Sequence, residues 1–590
     1  MKRIYKWMIL SLVVLITLSI LLIKPDPTRK HSQIKTASHQ LLSSPTTDRA
    51  RYNPGQHIAF SIRTKEKAVQ LTVRYYHLNK KIDQQSFIYK QASSHSWKWL
   101  PPNKDNQGYL AVVEARTSTK TQTETIAVDI SSNWRKFPRY GFLSAFPTMS
   151  QAQINQTIAR LNRFHINGLQ FYDWSAKHHR PLTIANGTIP NSWTDIANRP
   201  IEKKTLLSYI DAAHQRAMTA MSYNLIYGAL ANSEQDGTER SWFLFKDSNH
   251  NQVDVNPLPD GWKSAIYLMN PANQGWQDYL IHQQEQVYTY LPFDGWHVDQ
   301  LGDRGEVYDN DGHPVALADS LGPFLTRVKA TIPNKSLVMN AVGQFGQPSI
   351  AKAPVDFLYT EVWDNQNPDY IDLKKIVDTN TQLSSEEKNT VLAAYMDYDH
   401  SGSFNPAGVL LTDSVIFASG GAHIELGEHM LSKEYFPNRD LTMNALLSQT
   451  LIRYYDFMTA YENLLRDGTQ NTGVQADSSE QIPISYEPKQ GHLWVFAKKK
   501  TTHKIIHLIN FLDADSMKWR DRNGTQPEPQ ERRDLDFTLY DSKPVKQVWM
   551  SSPDLEKGQA IPLSFKQKDG KIHVILPSIR YWDMLVLDYK

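Results

Sequence analysis

At 590 residues, with 40% apolar and 21% charged residues, the chain has the length of roughly three to five domains and the apolar content to fill their cores. Its 64 Lys and Arg nearly balance 61 Asp and Glu, leaving +3, which argues against a nucleic-acid binder; the absence of cysteine excludes disulfides, thiolate nucleophiles and thiolate metal sites. The excess is aromatic, with 15 Trp, 28 Tyr and 21 Phe, and many of these rings stand in Asn- and Asp-rich stretches, a mixture that suits the flat faces and hydroxyl edges of sugars as well as ordinary core packing.

Lys2, Arg3 and Lys6 precede an apolar run from Trp7 to Ile23. Such a run, over residues 1–24, is expected to be a signal peptide or an uncleaved signal-anchor, with its basic flank in the cytoplasm. The protein would then act outside the cell or on its surface, touching the membrane only through this segment. Residues 25–47 are expected to be a tether.

Residues 48–135 alternate over short runs, His57–Arg63, Val69–Tyr76, Tyr109–Thr117 and Glu124–Ile130, split by turn residues such as Asn53-Pro54-Gly55. This predicts an N-terminal β-sandwich. From 136 to 470 the rhythm changes to eight short apolar runs with helix-period segments between them. The runs are Gly141–Phe146, Gly168–Trp174, Thr219–Tyr227, Gly295–Gly302, Leu337–Val342, Phe357–Trp363, Val391–Asp397 and His423–Gly427. Gln274–Leu291 and Leu441–Thr459 carry apolar residues at helical spacing. Eight β–α repeats predict a (β/α)8 barrel, and the long link from Tyr227 to about Pro271 predicts a functional loop. Residues 471–590 return to β runs and predict a C-terminal β-sandwich. Lys498-Lys499-Lys500 reads as a solvated strand end, and Asp309-Asn310-Asp311-Gly312 as a turn, since it lacks the full calcium-loop pattern.

Barrels of this kind carry their chemistry at the C-terminal ends of the strands. Here those ends hold Asp173, Asp299, Asn340, Glu361, Asp397 and Glu425, with Tyr172, Trp174, Tyr227 and Trp363 beside them. Carboxylates, amides and rings without a nucleotide fingerprint suit glycoside chemistry, which needs one ionised and one protonated carboxyl about a bond. Asp299 and Glu361 are the best-placed pair. Their strands are separated by one other, His297 shares a face with Asp299, and Tyr359 and Trp363 share one with Glu361. Asp173, Asp397 and Glu425 leave other pairings open.

At these residues the sequence resembles glycoside hydrolase family 66, the dextranases and cycloisomaltooligosaccharide glucanotransferases. The resemblance rests on Arg139-Tyr140-Gly141-Phe142-Leu143-Ser144, on Phe171-Tyr172-Asp173-Trp174 with His178-His179-Arg180-Pro181, on Asp294-Gly295-Trp296-His297-Val298-Asp299-Gln300-Leu301-Gly302, and on Tyr359-Thr360-Glu361-Val362-Trp363. It implies Asp299 as nucleophile, Glu361 as general acid/base and Asp173 as a sugar binder. It also implies an α-1,6-glucan such as dextran, or isomaltooligosaccharides, as substrate. The barrel lacks a spare stretch for the inserted carbohydrate-binding module of the cyclising enzymes, which favours a dextranase, a retaining endo-hydrolase. Further sugar contacts are expected at Tyr172, Trp174, His178, His179, Tyr227, His297, Asn340 and Trp363. For the rings the alternative is core packing, and for His297 it is orientation of Asp299. The two adjacent histidines lack a third ligand at metal spacing. No cofactor or metal is expected, and the protein is expected to be a monomer.

Overall fold

In the computed structural model, eight short runs buried on both faces form the strands of a parallel barrel. They are β1 (Tyr140–Leu143), β2 (Gly168–Phe171), β3 (Thr219–Leu225), β4 (Gly295–Asp299), β5 (Ser336–Val342), β6 (Leu358–Glu361), β7 (Thr390–Ala393) and β8 (Gly421–His423). Each pairs with the next in chain order. A parallel bridge from Phe142 to Gly427, just past β8, closes the ring. The seam is tight: a Cβ on Gly141 would lie 2.7 Å from the Leu426 carbonyl oxygen, and one on Gly427 2.5 Å from that of Phe142.

A helix follows every strand: α1 (Gln151–Arg163), α2 (Lys203–Gln215), α3 (Gln274–Tyr290), α4 (Leu317–Thr331), α5 (Gln347–Lys352), α6 (Tyr370–Leu383), α7 (Pro406–Ser419) and α8 (Ala445–Ala460). The fold is a (β/α)8 barrel flanked in sequence by antiparallel sheets. The structure describes residues 40–478 and 482–590. The apolar segment Trp7–Ile23 and most of the tether lie outside them, and no helix among the described residues is long and apolar enough to cross a membrane.

All eight strand positions agree with the periodicity, but several strands stop early. The β2 run ends at Phe171 because Asp173 adopts a left-handed backbone, φ 44°. Helix α8 starts at Ala445, after the expected Leu441. Asn444 caps it by accepting from the Leu447 N–H at 2.9 Å, while Leu441–Thr442 pairs as a strand with Gly402–Ser403.

Before the barrel lie a three-stranded and a four-stranded sheet; after it lie a seven-stranded and a four-stranded sheet. Strands Lys80–Tyr89 and Ser94–Trp99 escape the sequence pattern, the first because none of its side chains is buried. Arg139, immediately before β1, is fully buried and pairs with Asp129 of the N-terminal sheet and with Glu462 beyond α8, at 3.0 Å for the latter. Its Nε also donates to the His165 carbonyl at 2.6 Å. Removing one partner would strand buried charge, a loss of roughly 3–5 kcal/mol. Lys498 corrects the solvated reading of its cluster. It is buried and donates to the carbonyls of Ser419 and Leu465, and burial brings its ammonium down to about 7.

Candidate active site

Side chains of a strand alternate between faces, so one strand offers the barrel mouth residues two apart. Four strands do so here: Tyr223 and Leu225, His297 and Asp299, Asn340 and Val342, Tyr359 and Glu361 all line one cavity of about 680 Å³, as do Gln170 of β2 and Tyr172, whose N–H still bonds to the Leu143 carbonyl just past that strand's end. The long loop between β3 and α3 adds Asn256, Leu258, Pro259 and Trp262, and the loop after β8 adds Glu434, Tyr435 and Phe436. The loop expected to be functional is thus a wall of the cavity.

Asp299 is the last residue of β4 and Glu361 the last of β6. Asn340, on the strand between them, donates from its Nδ2 to Asp299 Oδ1 at 2.8 Å and to Glu361 Oε2 at 2.8 Å. Two such bonds from one trigonal nitrogen bring both carboxyls to Asn340, and ideal geometry at that nitrogen corresponds to an oxygen separation of roughly 5 Å, close to the ~5–5.5 Å at which a retaining glycosidase holds its pair.

The two carboxyls differ in their donors. Asp299 also accepts from the Tyr223 hydroxyl at 2.6 Å and the Gln300 N–H at 2.8 Å. Burial raises its pKa, and these three donors oppose the rise. Glu361 is pushed up to about 7, first by burial and then by the charge of Asp299, with Asn340 opposing. Asp299 is therefore the one poised to stay ionised and Glu361 the one poised to hold a proton.

Asp173 lines the cavity with its Oδ1 buried and lacking a hydrogen-bond partner. Burial pushes it up to about 7, opposed by Arg199 and assisted by the charges of Asp195 and Asp299. A short acidic side chain on a left-handed residue, with a buried oxygen that lacks a partner, is a strained feature of the kind found at ligand sites. Tyr172 lines the cavity and stacks on Phe436, centroids 4.5 Å apart. His297 also lines it, 3.2 Å from the Tyr140 hydroxyl through Nδ1, and burial brings its imidazole down to about 3, so it is neutral. His178 reaches the cavity while bonded through Nδ1 to Asn224 Oδ1 at 3.1 Å, and Trp363 lines it near Glu361.

Three expected sugar contacts are corrected, since none of them lines the cavity. Trp174 is buried against Trp193 and Phe293. His179 is sealed in the β2 loop, where its Nε2 faces Asp236 Oδ2 at 2.9 Å and its Nδ1 accepts from the Leu230 N–H at 3.1 Å. Lys177 and Arg180 also pair with Asp236, so this cluster is a loop clamp. Tyr227 is buried and its hydroxyl accepts from the Leu301 N–H at 2.7 Å, holding the segment after Asp299.

The remaining strand-end carboxylates are engaged elsewhere. Asp397 accepts from the Asn405 N–H at 2.5 Å, at the start of α7. Glu425 lies in a buried group with Asp413 and His423; His423 Nδ1 is 2.8 Å from Asp413 Oδ1, and Tyr455 donates to Glu425 at 3.0 Å. This group and the loop set Asp309, Asp311 and His313 are the two clusters among the described residues compact enough to share a cation, and neither lines the cavity. Asp309 itself closes a turn by accepting from the N–H groups of Asp311 and His313.

Sequence reasoning missed Tyr223, Tyr395, Glu434 and Trp262. Tyr223 was legible, being two residues before the end of β3 on the face that carries Asp299 and Asn340. Glu434 and Trp262 sit on long loops whose path no periodicity reveals.

The glycosyl hydrolase family 66 sequence model matches residues 47–586. The chain belongs to family 66. It is 27% identical to a cycloisomaltooligosaccharide glucanotransferase of Niallia circulans, over 92% of this chain and 71% of that protein. It is 23% identical to a dextranase of Streptococcus salivarius, over 83% of this chain and 68% of that one. The family fold is also evident in a crystal structure of a Paenibacillus sp. cycloisomaltooligosaccharide glucanotransferase complexed with cycloisomaltoheptaose. That structure is 25% identical, with a TM-score of 0.87, and the match covers 92% of this chain and 99% of the other. The family 66 assignment makes the chain a glycosidase.

Proposed function

We infer that this family 66 glycosidase hydrolyses internal α-1,6-glucosidic bonds of dextran with retention of anomeric configuration. The observation that carries this reading is the pair of carboxyls on one Asn340 nitrogen, spaced for double displacement. Asp299 attacks the anomeric carbon as Glu361 protonates the departing 6-oxygen, leaving a glycosyl ester on Asp299. Glu361, now ionised, takes a proton from water, and the hydroxyl displaces Asp299. Asp173, with its unpartnered oxygen, grips hydroxyls of the sugar being cleaved. The glucan substrate is supported by what the relatives are named for. A polymer substrate fits an exported enzyme, the location inferred from the N-terminal apolar run.

Cyclisation is the second reading, favoured by the glucanotransferase names among the relatives. Against it, the alignment with the Niallia circulans enzyme runs over 704 residues, longer than this entire chain of 590. That relative therefore carries inserted sequence that this chain lacks, as expected if the cyclising enzymes depend on an added module. Incubation with dextran, followed by NMR of the newly formed anomer and chromatography of the products, tests both readings. Linear α-configured isomaltooligosaccharides are expected. Mainly cyclic products would replace hydrolysis by cyclisation, and initial β-anomers would remove the double displacement.

A further inference from the structure

Glu361 hands its proton to the departing oxygen, so the cavity wall on its side faces the leaving sugar. Trp363 and Tyr395 form that wall. The Trp363 ring does not rest on barrel residues alone. The guanidinium carbon of Arg520 lies 5.0 Å from its centroid, 4.9 Å from that of Tyr398 and 4.9 Å from that of Trp519. Arg520 comes from the connection between C-terminal strands His503–Asn510 and Arg532–Tyr540 and is 1% exposed. It also holds both chain neighbours of Trp363: its Nη2 donates to the Val362 carbonyl at 2.9 Å, and its Nη1 is 3.0 Å from Asp364 Oδ1. Arg522 fixes Asp364 again with bonds of 2.7 and 2.9 Å. The Asp397 N–H donates to the Arg520 carbonyl at 2.9 Å, tying the arginine backbone to the segment that follows β7. A planar cation set among three rings and hydrogen-bonded at its edge is a rigid support that a lysine cannot copy.

We propose that Arg520 is a positioning residue for the acceptor side of the site: it fixes Trp363 as the platform for the leaving or incoming sugar, so that the C-terminal region sets how well a sugar competes with water. The proposal rests on the double displacement above. In transfer, an acceptor hydroxyl oxygen bonds to the anomeric carbon, the bond from that carbon to Asp299 breaks, and Glu361 takes the hydroxyl proton. Water follows the same path without needing Trp363.

The test uses full-length Arg520→Met and Arg520→Lys with two substrates. Dextran places a sugar on the acceptor side; α-isomaltosyl fluoride, whose leaving group is a single atom, does not. Arg520→Met should lower kcat/KM on dextran about tenfold and the ratio of transfer onto added isomaltotriose over hydrolysis about tenfold, while fluoride turnover stays within about twofold; Arg520→Lys should recover part of this at most. Equal losses on both substrates, an unchanged transfer ratio, or full rescue by lysine overturns the proposal. If Arg520→Met does not fold, Trp363→Ala replaces it, and an unchanged transfer ratio in that variant overturns the proposal equally. A wild-type enzyme inactive on both substrates would instead remove the underlying reading of double displacement on dextran.

Discussion

Asp299 and Glu361 accept hydrogen bonds from the same nitrogen, Asn340 Nδ2, at 2.8 Å each. Asn340 therefore does two things: it fixes the spacing of the pair and favours the ionised form of both. Asn340→Ala should raise both pKa values together. Asp299 would then need a higher pH to ionise, and Glu361 would keep its proton to a higher pH. The whole bell of kcat/KM against pH should move towards alkali, with kcat down about 10²-fold, the loss typical of a preorganised donor. A profile that falls in height without moving would show that the amide acts only through geometry.

Asp299→Asn and Glu361→Gln should each remove nearly all activity on dextran while leaving the protein folded. Because the pair acts as a unit, the double variant should be barely worse than either single. Glu361→Gln retains the nucleophile, and a fluoride leaving group needs no acid. With α-isomaltosyl fluoride this variant should accumulate a glycosyl ester that mass spectrometry places on Asp299. An adduct on any other carboxylate, Asp173 included, would reassign the nucleophile.

Much of this site was legible because strand-end position and period-two alternation are local properties of the chain. His297 with Asp299, and Tyr359 with Glu361, follow from alternation alone, and the mouth of the barrel collects what they present. The misread residues were those just past a strand end. At Trp174 and Tyr227 the strand has already stopped, so alternation no longer fixes direction, and their rings turn into the core. His179 was ambiguous for a different reason. Its partner Asp236 is far along the chain in the β3 loop, and only the folded loops bring them to 2.9 Å. Arg520 was invisible as a neighbour of Trp363 for the same cause.

Glu361 at about 7 sets the alkaline limb of kcat/KM on dextran: above that pH the acid has lost its proton, and the rate should fall about tenfold per pH unit. The acid limb belongs to Asp299, whose raised pKa moves it above the ordinary aspartate range near 3.9. With α-isomaltosyl fluoride the first step needs no proton donor, so the limb due to Glu361 should vanish from kcat/KM. A limb that persists near 7 on this substrate would be assigned to Asp173, and its absence in Asp173→Asn would confirm that assignment.

Asp173 should also cost the free enzyme stability. Its folded-state pKa, about 7, stands above the value of 3.8 expected when unfolded. The folded protein thus binds the proton more tightly, and stability is lost as pH rises from about 4 through 7. Above that window the penalty is fully present, on the order of 4 kcal/mol for a shift of this size; below it there is none. Asp173→Asn keeps the shape and removes the charge. It should raise Tm at pH 8 by several degrees while leaving Tm at pH 4 nearly unchanged, and should cost roughly 2–4 kcal/mol in transition-state binding on dextran. A gain in Tm of equal size at both pH values would mean that the relief comes from packing, and that the buried, unpartnered oxygen of Asp173 is not a charge held in readiness for substrate.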